Sequence, residues 1–239
     1  MITVRSFQIS DLFFILLRLR KILFQSDVLN ICINRRKFVR YGEADGAWTI
    51  IPNLNENSIV YSVGIGYNIS FDLDIIDKHK TKVYAFDPTP QCIQWLNKKS
   101  LPSKFIFSPF GLAAFDGELR FSLPENPDHV SASAVVDESK RGSFSAPVKR
   151  LSELMKIHQH TNIDLLKIDI EGSEYEVIDN ILEEKIHIKQ LLIEFHHRFT
   201  EIGAAKTKNA VEKLQLHGFQ LVYVSQRTGE EYTFIKNQW

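Results

Sequence analysis

From residue 58 onward, the chain alternates short apolar runs with longer stretches in which apolar residues recur at helical spacing. Glycine, proline and asparagine separate these segments. The apolar runs are rich in Val, Ile and Phe, and they predict strands at residues 58–63, 82–86, 104–109, 163–168 and 190–195. The helical spacing predicts helices at residues 71–80, 90–97, 152–158, 173–184 and 205–217.

This regular alternation of strand and helix predicts an α/β fold, namely a Rossmann-like, doubly wound and mostly parallel sheet with helices on both faces. The end of the chain departs from the alternation, because strand-like runs at 219–224 and 231–235 flank a turn at 227–229. These runs predict a C-terminal antiparallel β-hairpin. We expect the hairpin to add one antiparallel strand at the edge of the sheet.

The segment that joins the two halves of the sheet departs from the alternation of apolar strands and amphipathic helices. Residues 118–123 alternate and predict a strand outside the main sheet. Residues 124–145 carry few apolar side chains and predict a long polar loop. Such a loop either covers a substrate or is a surface loop without a function. Its candidate polar contacts are His129, Ser131, Ser133, Lys140 and Arg141.

The first forty residues have a different pattern. Ser10 is placed to cap a helix that is apolar on almost every side through residue 24, with basic residues near its end. We therefore predict an N-terminal helical extension at 1–40 and an α/β domain at 41–239. The helix would pack on the domain, form a homodimer interface, or lie on a membrane surface as a peripheral contact. Its apolar run is too short to span a bilayer, and we expect no secretory signal.

Composition narrows the classes of function. The 239 residues are 44% hydrophobic and 24% charged, with a formal net charge of +0. This balance favours no nucleic-acid partner, because phosphate binding requires a surplus of clustered Lys and Arg. The two cysteines, Cys32 and Cys92, have no neighbouring ligands at metal-binding spacing. Free thiols of this kind are typical of a cytoplasmic protein.

A glycine-containing turn follows the first predicted strand. Gly64, Ile65 and Gly66 would let backbone N–H groups approach a ligand closely, because glycine has no Cβ. Asp87 closes the second strand about twenty residues later, where a carboxylate can accept hydrogen bonds from a ribose. The alternative for Asp87 is a turn or helix-capping aspartate. A dinucleotide fingerprint would need a third glycine at the position of Ile69, so a nicotinamide cofactor is disfavoured.

The segment from Asp164 to Tyr175, DLLKIDIEGSEY, closely resembles the signature of FkbM-like methyltransferases. Similar segments lie at 60–66, 85–90, 111–112 and 192–196, so the resemblance extends over residues 41–236. It implies a class I methyltransferase fold and S-adenosylmethionine as the cofactor. It also implies a cofactor-binding set of Ser62, Gly64, Ile65, Gly66, Asp72, Asp87, Pro88, Gly111, Leu112 and Asp169.

The resemblance implies a place for each part of the cofactor. The glycine turn would pass under the methionine part, Asp87 would hold the ribose, and Gly111 and Leu112 would lie beside the adenine. Asp169 would face the ammonium group. Many class I methyltransferases carry an acidic residue where this chain has Ser62, and we expect Asp72 to supply a carboxylate nearby instead.

Two strand ends carry the titratable side chains expected for catalysis, Asp169 with Glu171 and Glu194 with His196. An alcohol acceptor must lose a proton as the methyl group is transferred. We predict His196 as the general base, oriented by Glu194 or Glu171. The same set could hold a divalent cation, which we do not favour because the ligand spacing is not diagnostic. Alternatively, Glu171 caps a helix and Glu194 pairs with Lys167.

These features predict an S-adenosylmethionine-dependent O-methyltransferase that acts on a hydroxyl of a glycan, glycolipid or small natural product. The second hypothesis is a non-catalytic binding module with the same fold, for which Ser62 is the best support. A nicotinamide-dependent oxidoreductase is the third. The set Asp169, Glu171, Glu194 and His196 favours the enzyme over the module.

Overall fold

The computed structural model describes residues 37–122, 142–199 and 201–236. The predicted N-terminal helix and most of the predicted polar loop lie outside the described residues. Residues 143–145 are an exception, since they belong to a strand and not to the loop in which we placed them.

Twelve strands and five α-helices make up the described part of the chain. The strands are β1 Val39–Tyr41, β2 Trp48–Ile50, β3 Ile59–Val63, β4 Lys82–Phe86, β5 Phe105–Ser108, β6 Gly111–Leu112, β7 Gly117–Ser122, β8 Ser143–Lys149, β9 Ile163–Ile168, β10 Ile188–Glu194, β11 Phe219–Val224 and β12 Glu231–Lys236. The helices are α1 Ser70–His79, α2 Pro90–Leu96, α3 Leu151–Ile157, α4 Glu174–Glu183 and α5 Gly203–Leu216, and a short 3-10 helix spans Ala44–Gly46.

The main sheet has seven strands in the order β11-β12-β10-β9-β3-β4-β5. Its strands are parallel except β12, which pairs antiparallel with both β10 and β11. The predicted hairpin is therefore present at the edge of the sheet, but the prediction that its antiparallel strand is the outermost one was wrong. The antiparallel strand is inserted between β10 and β11, and β11 forms the edge. This order and these directions are those of the class I methyltransferase fold.

Alternation along the strands explains why helices cover both faces of the sheet. All six residues of β9 are buried. Leu165 packs in one apolar cluster with Phe71 of α1, whereas Leu166 packs in the other with Ile178 of α4. Neighbouring residues of one strand thus face opposite layers, as expected for a doubly wound sheet.

Two smaller sheets flank the main one. Strands β6, β8 and β7 form a three-stranded sheet, so the predicted separate strand at 118–123 is confirmed in position. The β1–β2 pair is fastened to the main sheet by the Gln190 amide, which bonds Ile51 N and Ile51 O at 2.7 and 3.2 Å. Strand β1 crosses the domain boundary that we predicted between residues 40 and 41. Within the described ranges, no helix is long and apolar enough to cross a membrane.

Candidate functional site

A cavity of about 910 Å³ opens at the carboxyl ends of the parallel strands. Its wall contains nine of the ten residues predicted to bind the cofactor, Ser62 being the exception. Three of the four predicted catalytic residues also line it, while His196 does not. The nine cofactor positions on the wall are Gly64, Ile65, Gly66, Asp72, Asp87, Pro88, Gly111, Leu112 and Asp169.

The turn after β3 is packed directly against the end of β9. Gly64 has a φ of +71°, and a Cβ at this position would lie 1.6 Å from the carbonyl oxygen of Asp169. The amide of Gly64 donates to Phe86 O at 2.9 Å, and the amide of Asp169 donates to Val63 O at 3.2 Å. A side chain at position 64 would separate the two strand ends, so the sequence requires glycine here.

Asp87 holds the second glycine of the turn in place. Its Oδ2 accepts a hydrogen bond from Gly66 N, and its Oδ1 accepts one from Thr89 N, both at 2.9 Å. Gly66 has a φ of +53°, with no atom within 4 Å of where a Cβ would be. Asp87 is therefore a turn aspartate, as the alternative interpretation held, and it also lines the cavity.

Asp72 lies on the first turn of α1, and only 2% of its surface is exposed. Burial raises the pKa of its carboxyl to about 6, although the Lys167 ammonium and the Ser62 hydroxyl oppose the shift. Among the described residues, its Oδ1 has no hydrogen-bond partner. Ser62 is fully buried beneath this carboxylate and does not reach the cavity wall. Asp72 thus places a carboxylate beside the position of Ser62.

Lys167 is a buried cation at the centre of the site that the sequence analysis did not assign to it. Its Nζ donates to Gly64 O at 2.7 Å and to Val63 O at 3.3 Å, and it lies 3.7 Å from Asp169 Oδ2. The ammonium therefore pairs with Asp169, and not with Glu194 as one alternative proposed. A lysine within the apolar strand β9 was the available signal, because a charged side chain is rarely buried without a partner.

The acidic end of the cavity is built around His196. Its Nδ1 lies 2.8 Å from Glu174 Oε1, while its Nε2 lies 3.3 Å from Glu171 Oε2 and 3.9 Å from Asp169 Oδ1. Glu174 is completely buried, and the same Oε1 accepts a hydrogen bond from Gly172 N at 3.1 Å. The main orienting carboxylate is therefore Glu174, to which the sequence analysis gave no role.

The electrostatics of this cluster bear on the predicted base. Burial by itself lowers the pKa of His196. The carboxylates of Glu174, Glu171 and Asp169 raise the pKa by more than burial lowers it, so it is well above its usual range. His196 does not line the cavity, so the geometry does not support its direct action on an acceptor.

Glu194 and Glu231 extend the acidic end toward β12. They are paired across β10 and β12, and both line the cavity. Burial and the nearby Asp169 raise the pKa of Glu194 far above that of an ordinary carboxyl. Burial also raises the pKa of Glu231, against the opposing effect of Arg40, whose Nη1 lies 3.2 Å from Glu231 Oε2.

Residues from outside the predicted motifs complete the wall. Leu119 and Phe121 of β7 contribute apolar surface, and Arg227 and Thr228 lie in the turn between β11 and β12. No local pattern marked these residues, because they come together only through the pairing of distant strands. Further wall residues that the sequence analysis missed are Arg40, Trp48, Tyr67, Asn68 and Glu231.

Comparison with known families explains the signature at the end of β9, the segment from Asp164 to Tyr175. The sequence matches the model of the methyltransferase FkbM domain over residues 60–221, which is more than half of the chain. The chain belongs to the FkbM methyltransferase family. A curated relative, the hexuronic acid methyltransferase AglP of Haloferax volcanii, is 25% identical over 157 residues. The match covers 65% of this chain and 63% of AglP, so it spans less than two thirds of that relative's length.

Two solved structures are similar to this chain at low identity. The FkbM methyltransferase of Methylobacillus flagellatus KT is 16% identical with a TM-score of 0.48, and the match covers 77% of this chain and 44% of that one. The fibrillarin pre-rRNA processing protein of Methanococcus jannaschii is 16% identical with a TM-score of 0.47, and the match covers 88% and 86%. Both TM-scores are below 0.5, and we draw no functional conclusion from them.

Proposed function

We propose that this FkbM-family protein is an S-adenosylmethionine-dependent O-methyltransferase that acts on a sugar hydroxyl. The observation that carries the proposal is the composition of one cavity wall. The wall surrounds a cavity of about 910 Å³ and combines the glycine turn, Asp87 and the acidic ends of β9 and β10. Such a wall offers close backbone approach, a ribose acceptor and negative charge for a cationic cofactor.

The residues of the wall fit the parts of this cofactor. Each carboxylate oxygen of Asp87 accepts one hydrogen bond from a backbone N–H group of the turns. Each can also accept a second hydrogen bond, from a ribose hydroxyl. Asp72 and Asp169 both lie near Lys167 and would attract an ammonium or a sulfonium group. Leu112, Leu119 and Phe121 supply apolar contacts for a purine ring.

Bound S-adenosylmethionine supplies an already activated methyl group, so the protein's work is alignment, exclusion of water and removal of the acceptor's proton. The carboxylates that line the acidic end are those of Asp169, Glu171 and Glu194, and of these Asp169 and Glu171 are placed to receive that proton. His196 fixes the positions of two of them through its Nε2. We therefore assign His196 a positioning role and not that of the base.

Two observations support an acidic sugar as the class of acceptor. AglP methylates a hexuronic acid, which carries a carboxylate beside its hydroxyl groups. In this chain, the exposed Arg227 lines the cavity next to Thr228, where its guanidinium could bind such a carboxylate through two hydrogen bonds. We propose an acidic sugar, free or within a glycan, as the acceptor.

Calorimetric titration of the full chain with S-adenosylhomocysteine, with NAD titrated in parallel, tests the cofactor. We expect saturable micromolar binding of S-adenosylhomocysteine and no binding of NAD. Binding of NAD alone would replace the proposal with the oxidoreductase. Folded protein that binds neither compound would indicate a non-catalytic module.

A further inference from the structure

Three potential metal ligands converge at the acidic end of the cavity. The Nε2 atom of His196 and one carboxylate oxygen each of Asp169 and Glu171 all lie within 4.8 Å of one another. Ligand atoms that share a cation at about 2.1 Å are separated by about 3 to 4 Å. The distances of 3.3 Å to Glu171 and 3.9 Å to Asp169 are in this range.

The imidazole is held in the orientation that a metal ligand requires. Glu174 Oε1 lies 2.8 Å from Nδ1, so the other ring nitrogen is directed at the two carboxylates. Histidines that bind metals almost always donate their second N–H group to a carboxylate, carbonyl or water in this way. Only 8% of the His196 surface is exposed, so the ring has little freedom to turn elsewhere.

A second observation concerns buried charge and is independent of the ligand distances. Glu174 is 0% exposed, and within the described part of the chain its Oε2 has no hydrogen-bond partner. Three carboxylates, those of Asp169, Glu171 and Glu174, surround one imidazole. Buried carboxylates are stable only when cations or hydrogen-bond donors compensate them. An added cation would supply this compensation.

We propose that Asp169, Glu171 and His196 bind a divalent first-row metal cation, for which Mn²⁺ is a suitable probe. One imidazole and two carboxylates form a mixed donor set that suits Mn²⁺ or Fe²⁺ better than Ca²⁺. Asp169 and Glu171 line the cavity, so the cation is accessible from it. Its role rests on the proposed function, since a bound cation acts as a Lewis acid that lowers the pKa of a coordinated hydroxyl.

The test is electron paramagnetic resonance titration of the chelator-treated full chain with Mn²⁺, followed by titration of the same samples with S-adenosylhomocysteine. We expect one saturable Mn²⁺ site in the wild type. Glu171→Gln and His196→Ala should weaken it at least 10-fold, and Glu174→Gln about 10-fold through the orientation of the ring. Glu153→Gln, at a partly exposed pair with Lys156 on α3, is the matched control and should leave binding unchanged.

The outcomes separate the two proposals. Absence of saturable Mn²⁺ binding in wild-type protein that binds S-adenosylhomocysteine would overturn the metal site alone. Unchanged Mn²⁺ affinity in Glu171→Gln would also overturn it, because the cation would then bind elsewhere. Glu171 is partly exposed, so this variant remains decisive if His196→Ala does not fold. Mn²⁺ binding without S-adenosylhomocysteine binding would preserve the site and remove the proposed function.

Discussion

The carbonyl oxygen of Asp169 lies 1.6 Å from the position that a Cβ on residue 64 would take. This contact joins the turn after β3 to the end of β9, and both segments line the cavity. The residue that limits the shape of the turn is thus the one expected to face the cofactor. Any change at position 64 moves Asp169 as well.

Gly64→Ala should therefore destabilise the protein severely, by at least about 3 kcal/mol, because the methyl group meets backbone that cannot move away. Gly66→Ala is the matched control, since its added Cβ meets no atom within 4 Å. It should cost only about 1 to 2 kcal/mol for the left-handed φ. Urea denaturation measures both changes, and equal losses would contradict the role of the Asp169 contact.

Asp72→Asn should stabilise the protein while weakening cofactor binding. Because burial raises the pKa of Asp72 from 3.8 to about 6, its contribution to stability is complete below pH 4 and is lost as the pH rises through 6. Asparagine mimics the neutral form, so the variant should gain up to about 3 kcal/mol at pH 8 and little at pH 4. Urea denaturation at both pH values measures the gain.

The same variant tests the proposed contact with the ammonium group. S-adenosylhomocysteine retains this group, so its affinity at pH 8 should fall about 10-fold in Asp72→Asn. Asp77→Asn, on the exposed side of α1, is the control for binding and should leave the affinity unchanged. Wild-type affinity in Asp72→Asn would remove Asp72 from the cofactor site.

Lys167→Met should destabilise the folded protein. The substitution leaves the carbonyl oxygen of Gly64 without its donor and leaves Asp72 and Asp169 without their nearest cation. We expect a loss of about 2 to 4 kcal/mol in unfolding free energy. Lys189→Met, at a partly exposed pair with Asp164, should cost about 1 kcal/mol or less. Equal losses in denaturation experiments would show that Lys167 has no special role.

Arg227→Met should raise the KM for acidic sugar acceptors about 10-fold and leave the KM for neutral sugars unchanged. The reason is that the guanidinium at the cavity wall would bind the acceptor's carboxylate and not the cofactor. Initial rates with hexuronic acids and the corresponding hexoses measure the difference. An equal effect on both acceptors would argue against an acidic acceptor.

The main sheet could be predicted because its strands are apolar on both faces and short turns separate them from amphipathic helices. Strand β9 was predicted with the bounds that the structure shows, Ile163–Ile168. Strand β8 was missed, because its polar residues and Pro147 carry no strand signal before they pair with β7. The place of β12 inside the sheet was also missed, since a hairpin does not specify which of its strands contacts β10.

Residues of the cavity wall were predictable where local chemistry limits the choice, as in Gly64, Gly66 and Asp87. The environment of His196 was not, because it depends on which side chains α4 brings to the end of β10. Glu174 lies 22 positions away in sequence, and only the folded arrangement places it 2.8 Å from Nδ1. The rise in the pKa of His196 that this carboxylate contributes could not be predicted from residue type alone.

The antiparallel course of β12 has a consequence for how the protein is made. Because this strand enters the sheet from the cavity end, Glu231 at its start faces Glu194, and it also meets Arg40 from 191 positions earlier. A chain synthesised from its N-terminus can form β3, β4 and β9 long before this contact exists. Contacts of such high sequence separation form slowly. Nascent molecules would therefore reach a nearly complete sheet while the cavity is still open on one side.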